Sequence, residues 1–278
     1  MGDGRPNRVR AAATRGAEMG RTAASRGAEI GRNMRNIDVP WARCAPARAV
    51  RETILQFVLA PLMDLYTRPR VYGRDVFNRL PHPVILVANH SSHLDTPTIL
   101  RALPLKWRQR TAVAAAADYF YKKRAVASAV ALIFNTVPLM RQGGGVNNGA
   151  TEHVDRLIDQ RWKLLMFPAG TRSRSGRLGK MRSGAAAIAQ AHGIPIVPIY
   201  VKGTHEAMPP GRNWPSRRHL IARRHRVEVH FGEPIWPGRD EHRHEVMNRV
   251  RTFLEDEAVD GARPTVSRRR ERAVSPVV

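Results

Sequence analysis

In this chain of 278 residues the segment best arranged for chemistry is Asn89-His90-Ser91-Ser92-His93-Leu94-Asp95, which follows an apolar run and precedes a helical pattern. An imidazole with a carboxylate five residues on can form a dyad. The acid accepts from one ring nitrogen and fixes the tautomer, leaving the other nitrogen as a base. His90 would then be the base and Asp95 its orienter. The same spacing fits a purely structural reading, in which Asp95 caps the next helix and His90 merely ends a strand. A metal site at His90, His93 and Asp95 is disfavoured, because the dense His-x-His-x-Asp-His spacing is absent and no further ligand is evident. Ser91 or Ser92 as nucleophile comes second, since neither sits in a Gly-x-Ser-x-Gly elbow. The role of His93 is left unassigned.

A second constellation is Phe167-Pro168-Ala169-Gly170-Thr171-Arg172-Ser173, again just after an apolar run. Gly170 permits close backbone approach, Thr171 and Ser173 offer hydroxyls, and Arg172 presents a planar fork suited to phosphate. This is an anion cradle and not a P-loop, whose lysine-serine pair is missing. Arg141, following Thr136–Leu139, is a third strand-end cation, and Gly143-Gly144-Gly145 beside it reads as a flexible loop.

These residues need elements to hold them. Val84–Ala88 reads as a buried strand, and a helix follows through Leu94–Ala102. Beyond it the pattern predicts a strand at Ala112–Ala117, a helix near 122–133, a strand at Thr136–Leu139 and a helix about 149–161. It continues with strands at 163–167, 194–201 and 226–231, a helix over 180–192 between the first two, and a last helix about 239–258. Strands separated by helices imply an α/β fold with a largely parallel central sheet flanked by helices. Residues 50–66 form an apolar stretch interrupted by Pro61 and too short to span a bilayer, read as a helix partly exposed near a membrane. The expected organisation is a basic extension at 1–49, a domain at 50–258 and a basic disordered tail at 259–278. Within the extension, Arg15–Arg21 returns as Arg26–Arg32, an eleven-residue offset that sets Met19, Ala23, Ile30, Met34 and Ile37 on one helical face. Four glycines weaken such a helix, so a surface-bound amphipathic helix and a solvated basic tail are both open readings.

Composition narrows the partners. Lys and Arg exceed Asp and Glu by 24 charges, which favours a polyanion, either nucleic acid or anionic membrane. Aromatic residues make up only 6% of the chain and form no basic-aromatic platform for stacking bases, so no nucleic acid is expected. A non-catalytic nucleic-acid- or membrane-surface-binding protein is the alternative. The single cysteine, Cys44, excludes internal disulfides and thiolate metal clusters, in keeping with a reducing compartment. No stretch reads as a spanning helix or a secretory signal.

Taken together, four blocks resemble the glycerolipid acyltransferase family, of the 1-acylglycerol-3-phosphate type. Asn89–Asp95 is similar to its Asn-His-x-x-x-x-Asp block and Phe134–Arg141 to its second, arginine-ended block. Phe167–Ser173 is similar to Phe-Pro-Glu-Gly-Thr-Arg-Ser, and Ile196-Val197-Pro198-Ile199 to the fourth. Lys180, Gly184 and Ala187 match the lysine, glycine and small residue that follow the third block. The resemblance covers about residues 70–235. It implies transfer of an acyl group from acyl-CoA or an acyl carrier protein to a lysophospholipid hydroxyl, with no cofactor. His90 and Asp95 would be catalytic, with Asn89, Arg141, Gly170, Thr171, Arg172 and Lys180 binding substrate and Arg141 and Arg172 holding the acceptor phosphate. It also implies a peripheral position on the cytoplasmic face of an anionic membrane. Ala169 stands where the family has glutamate, which puts the acceptor head group in question.

Overall fold

Four consecutive side chains that are all excluded from water, Ile85–Ala88, leave a strand no solvent face, so it lies at the middle of a sheet covered on both sides. In the computed structural model, which describes residues 38–116, 124–139, 152–216 and 224–260, that strand is β2. The others are β1 (Thr67–Tyr72), β3 (Thr111–Ala116), β4 (Thr136–Leu139), β5 (Lys163–Met166), β6 (Ile196–Lys202) and β7 (His225–Phe231). Their spatial order is β1-β7-β6-β2-β5-β3-β4. Every pairing is parallel except β6 with β7. The sheet is the largely parallel one expected.

The helices are α1 (Ala45–Ile54), α2 (Ala60–Tyr66), α3 (Asp95–Ala102), α4 (Leu105–Arg108), α5 (Arg124–Phe134), α6 (Glu152–Asp159), α7 (Gly184–His192), α8 (Thr204–Ala207) and α9 (Arg243–Asp260). Alternate strand residues feed two apolar layers. Ile85, Val87, Leu164 and Met166 meet residues of α6, α7 and α9 on one face. Leu86, Leu165, Val197 and Ile199 meet α3, α4 and the end of the α1 run on the other.

Several boundaries differ from those expected. Residues 50–66 lie within an unbroken helical run, Ala45–Tyr66, whose middle turn at Leu55–Leu59 is π-helical and joins α1 to α2, and Pro61 comes just after that wider turn. Helix α1 begins at Ala45, inside the segment read as extension, and Arg51 staples it inward. The Arg51 guanidinium donates to the carbonyls of Ala42, Ala131 and Leu132, and burial lowers its pKa to about 10. Strand β1 had no counterpart in the sequence reading, because Thr67-Arg68-Pro69-Arg70 carries little apolar signal. It is tolerated as an edge strand through its register with β7. Helix α7 starts four residues later than expected, the backbone of Lys180–Ser183 being turned aside where Arg182 N–H donates to Pro168 O at 3.1 Å. The eleven-residue repeat, Arg141 and residues 261–278 of the tail lie outside the described residues, while Val259 and Asp260, read as part of the tail, close α9.

Candidate active site

Strands β5, β2 and β6 are neighbours, and all three deliver their carboxyl ends to one edge of the sheet. That edge is the usual place for chemistry in open α/β sheets. Asn89 is the first residue past β2. Its amide donates from Nδ2 to Val201 O at 2.8 Å and accepts from Val201 N–H at 2.7 Å. The side chain thus continues the ladder while the backbone leaves it, so the Asn89 amide, expected to bind substrate, is engaged by β6.

The backbone released at Asn89 presents His90, whose Nδ1 lies 2.8 Å from Asp95 Oδ2. Asp95 is completely buried at the start of α3. Its Oδ2 also accepts from Ser91 N–H at 2.7 Å and Ser92 N–H at 2.8 Å, and its Oδ1 accepts from the Thr204 hydroxyl at 2.5 Å. Four donors surround a carboxylate closed off from solvent. The two readings of Asp95 therefore merge: it satisfies backbone donors ahead of the helix and orients the imidazole as well. His90 remains 19% exposed through its side chain, and its ring stacks on Phe167 with centroids 4.2 Å apart. With Nδ1–H given to the carboxylate, Nε2 is the acceptor nitrogen, and it has no hydrogen-bond partner among the described residues.

Neither serine is placed as a nucleophile. Ser92 is buried, donates to Met208 O at 2.7 Å and accepts from Leu94 N–H at 3.1 Å. Ser91 is buried beside Thr204. No group of three potential metal-ligating side chains gathers among the described residues.

The loop after β5 closes over the same edge. Ser173 N–H donates to His90 O at 2.8 Å, tying the two constellations by main chain. Gly170 has φ +71°, the left-handed turn that brings it beside the Arg182 guanidinium. Thr171 is exposed, and Arg172 is half-buried without a carboxylate partner among the described residues. His93 is exposed as a residue, yet partial desolvation of its ring, then the nearby charges of Arg172 and His90, push that imidazole below its ordinary pKa of 6.5. His93 therefore stays uncharged near neutral pH beside the cation. Lys180 is exposed farther along the loop, and Ala169 Cβ packs toward Gly179.

Three contributors were not singled out from sequence: Thr204, Phe167 as the stacking partner, and His205, whose Nδ1 lies 3.4 Å from Ser91 O. Gly203-Thr204 directly after an apolar strand was the available signal. A groove of about 540 Å³ elsewhere, lined by Phe57, Arg74, Leu105 and Arg108, contains none of these groups.

Residues 68–202 match the family model described as Acyltransferase. A chloroplastic 1-acyl-sn-glycerol-3-phosphate acyltransferase, BAT2, of Brassica napus is 32% identical over 130 residues, covering 46% of this chain and 36% of that protein. Taffazin of Dictyostelium discoideum is 29% identical over 150 residues, covering 49% of this chain and 50% of that protein. The chain thus matches about a third to a half of the length of these relatives. The crystal structure of the 1-acyl-sn-glycerophosphate (LPA) acyltransferase PlsC from Thermotoga maritima shares the fold, with a TM-score of 0.51 and 21% identity over 84% of this chain and 97% of that one.

Proposed function

We propose that the acyltransferase-family domain at residues 68–202 makes this chain an enzyme that moves a fatty acyl group from a thioester to the free hydroxyl of lysophosphatidic acid or a related lysophospholipid. The observation that carries this reading is the His90–Asp95 hydrogen bond with Nε2 left open at the carboxyl edge of the sheet. Nε2 takes the proton of the acceptor hydroxyl as its oxygen attacks the thioester carbonyl. A C–O bond forms, the C–S bond breaks, and the departing thiolate receives the proton back from the imidazolium. Asp95 stabilises that imidazolium through the Nδ1 hydrogen bond. The thioester is already activated, so neither a covalent acyl-enzyme nor a cofactor is needed.

Arg172 holds the acceptor phosphate, with Thr171 and Gly170 shaping the turn around it and Arg141 as a second cation. Ala169 in place of glutamate removes a carboxylate from this cradle and widens the range of acceptor head groups. Docking is peripheral, on the cytoplasmic face of an anionic membrane. The support for this is the exposed face of the N-terminal helical run, where Val50, Phe57, Val58 and Leu65 stand in solvent, Phe57 at 73% exposure. No helix among the described residues is long and apolar enough to cross a bilayer. Incubation of purified protein with labelled acyl-CoA and a panel of lysolipids tests the proposal. His90→Ala should lower turnover about a thousandfold with vesicle binding intact. Retained turnover removes His90 as base, and absence of acylated lipid with the native protein removes the enzyme reading.

A further inference from the structure

Three segments lead into neighbouring strands at the amino edge of the sheet, opposite the edge that carries His90. They precede β2, β3 and β5, which are paired near their starts, Thr111 beside Lys163 and Ile85 beside Leu164. Each brings a cation: His82 ahead of β2, Arg110 ahead of β3, and Arg161 ahead of β5, whose first residue is Lys163. Lys163 N–H donates to Arg110 O at 2.9 Å and Arg110 Nη1 donates to Gln160 O at 3.3 Å, which ties two of these segments together. Lys163 is only 2% exposed, and its ammonium stands 5.0 Å from the centre of the Trp107 ring, with no hydrogen bond and no carboxylate partner among the described residues. The His82 ring packs against the same indole at 4.3 Å. Lysine is rarely buried without a partner. Arg110 and Arg161 are exposed and likewise meet no carboxylate among the described residues. Arg161 also holds a φ of +63°, in the left-handed region that side chains seldom enter.

We infer that Lys163, Arg110, Arg161 and His82 form an anion site at the amino edge of the sheet that takes a single phosphate group, with the buried ammonium at its base and the two guanidinium groups at its rim. The site is separate from the His90 edge, since about 13 Å of strand lies between Lys163 and Phe167. It does not depend on the acyl-transfer reading. The charges that reach His82 are all positive: after partial desolvation of its ring, Lys163, Arg161 and Arg110 hold its pKa below 6.5. Burial and then Arg110 lower that of Lys163 to about 8, so at pH 7 the ammonium is still largely protonated and unbalanced. Like charges gathered by three separate segments repel one another unless an anion neutralises them. Guanidinium forks match phosphate oxygens, and an ammonium adds a compact point charge beneath them. Trp107 is 5% exposed and offers no face on which a base could stack. The ligand is therefore recognised through its phosphate, whether that phosphate is free in solution or the head of a lipid, and not as a nucleotide.

The experiment titrates the full chain at pH 7 by calorimetry with inorganic phosphate and, separately, with monomeric dioctanoyl phosphatidate. Melting temperature is followed in phosphate against chloride at equal ionic strength. The native protein is compared with Arg110→Gln/Arg161→Gln, with Lys163→Met, and with Arg172→Ala as the control for the opposite edge. Native protein should melt about 2–4 °C higher at ten times the Kd for phosphate. The arginine pair should weaken binding about tenfold or more, while Arg172→Ala leaves this binding in place. Lys163→Met keeps the stem against Trp107 and should abolish the phosphate-dependent rise; should it fold poorly, the exposed arginine pair decides alone. Equal affinity for the two ligands supports the site with free phosphate as its source, and arginine-dependent binding of the phosphatidate alone supports it with a lipid head group. Binding lost in Arg172→Ala but kept in the arginine pair overturns the assignment, as does a melting rise that chloride reproduces. A phosphate response retained in a folded Lys163→Met reduces Lys163 to a packing partner of Trp107 and overturns it too.

Discussion

At the scale of single residues, the site depends on keeping one buried carboxylate aimed at the imidazole. Thr204→Val deletes the only hydroxyl given to Asp95 Oδ1 among the described residues and leaves that oxygen unsatisfied. Turnover should fall about tenfold with little change in acceptor KM, and stability should drop by about 1–2 kcal/mol in urea titrations. A rise in KM alone would show that Thr204 touches the acceptor. Arg172→Ala should raise acceptor KM about tenfold or more while kcat holds, and an unchanged KM removes it from the phosphate cradle. The sequence revealed His90 and Asp95 because a five-residue separation lets local chemistry be read directly. Thr204 stayed hidden because it reaches Asp95 across 109 residues, a contact that only the adjacency of β2 and β6 creates. Asn89 was legible as a strand-end polar residue but not as a substitute rung of the ladder, since the register of the partner strand decides that.

At the scale of elements, the turn that places Thr204 is sterically exacting. Gly203 has φ +86°, and a Cβ there would stand 1.9 Å from Arg226 O. Gly203→Ala must therefore move either β7 or the start of α8. Destabilisation of about 3 kcal/mol or more is expected, along with loss of turnover; chemical denaturation and activity assays on one preparation check both. The central strands were readable because Val84–Ala88 and Lys163–Met166 are short apolar runs between breakers, and burial on both faces imposes that pattern. The edge strand β1 was not, because its pairing with β7 selects it and its own side chains do not. The start of α7 was misplaced for a related reason: Lys180–Ser183 has helical composition, but the Arg182 N–H is taken by Pro168 O.

For the molecule as a whole, charge and topology set the behaviour. Vesicles rich in anionic lipid should retain the protein, and retention should fall steeply as salt rises through 0.15 M, where screening shortens to about 8 Å; salt-independent retention would assign binding to the apolar face alone. Behind the sheet, buried His230 sits 2.8 Å from Glu257 and 3.5 Å from Glu228 and stacks on Tyr72. Burial pushes its pKa down, but the two carboxylates outweigh this and the net shift is upward from 6.5. The hydrogen bond from His230, against some cost of burial, holds Glu228 below its ordinary 4.5. The His230 contribution is complete below pH 6.5 and lost as pH climbs through the raised value. That of Glu228 is present above pH 4.5 and lost on further acidification. Melting temperature should accordingly fall as pH rises beyond neutrality, and His230→Gln should lower and flatten that profile.

The placement of β7 carries a consequence for biosynthesis. Strand β1 has β7 as its partner, and β7 follows it by roughly 160 residues, so at about 5–20 residues per second the ribosome leaves β1 waiting about 8–30 s for it. During that interval β2 to β6 emerge one after another, and β1 stays without its partner until β7 follows them. The arginines and proline of Thr67-Arg68-Pro69-Arg70 make that waiting edge a poor template for other nascent chains.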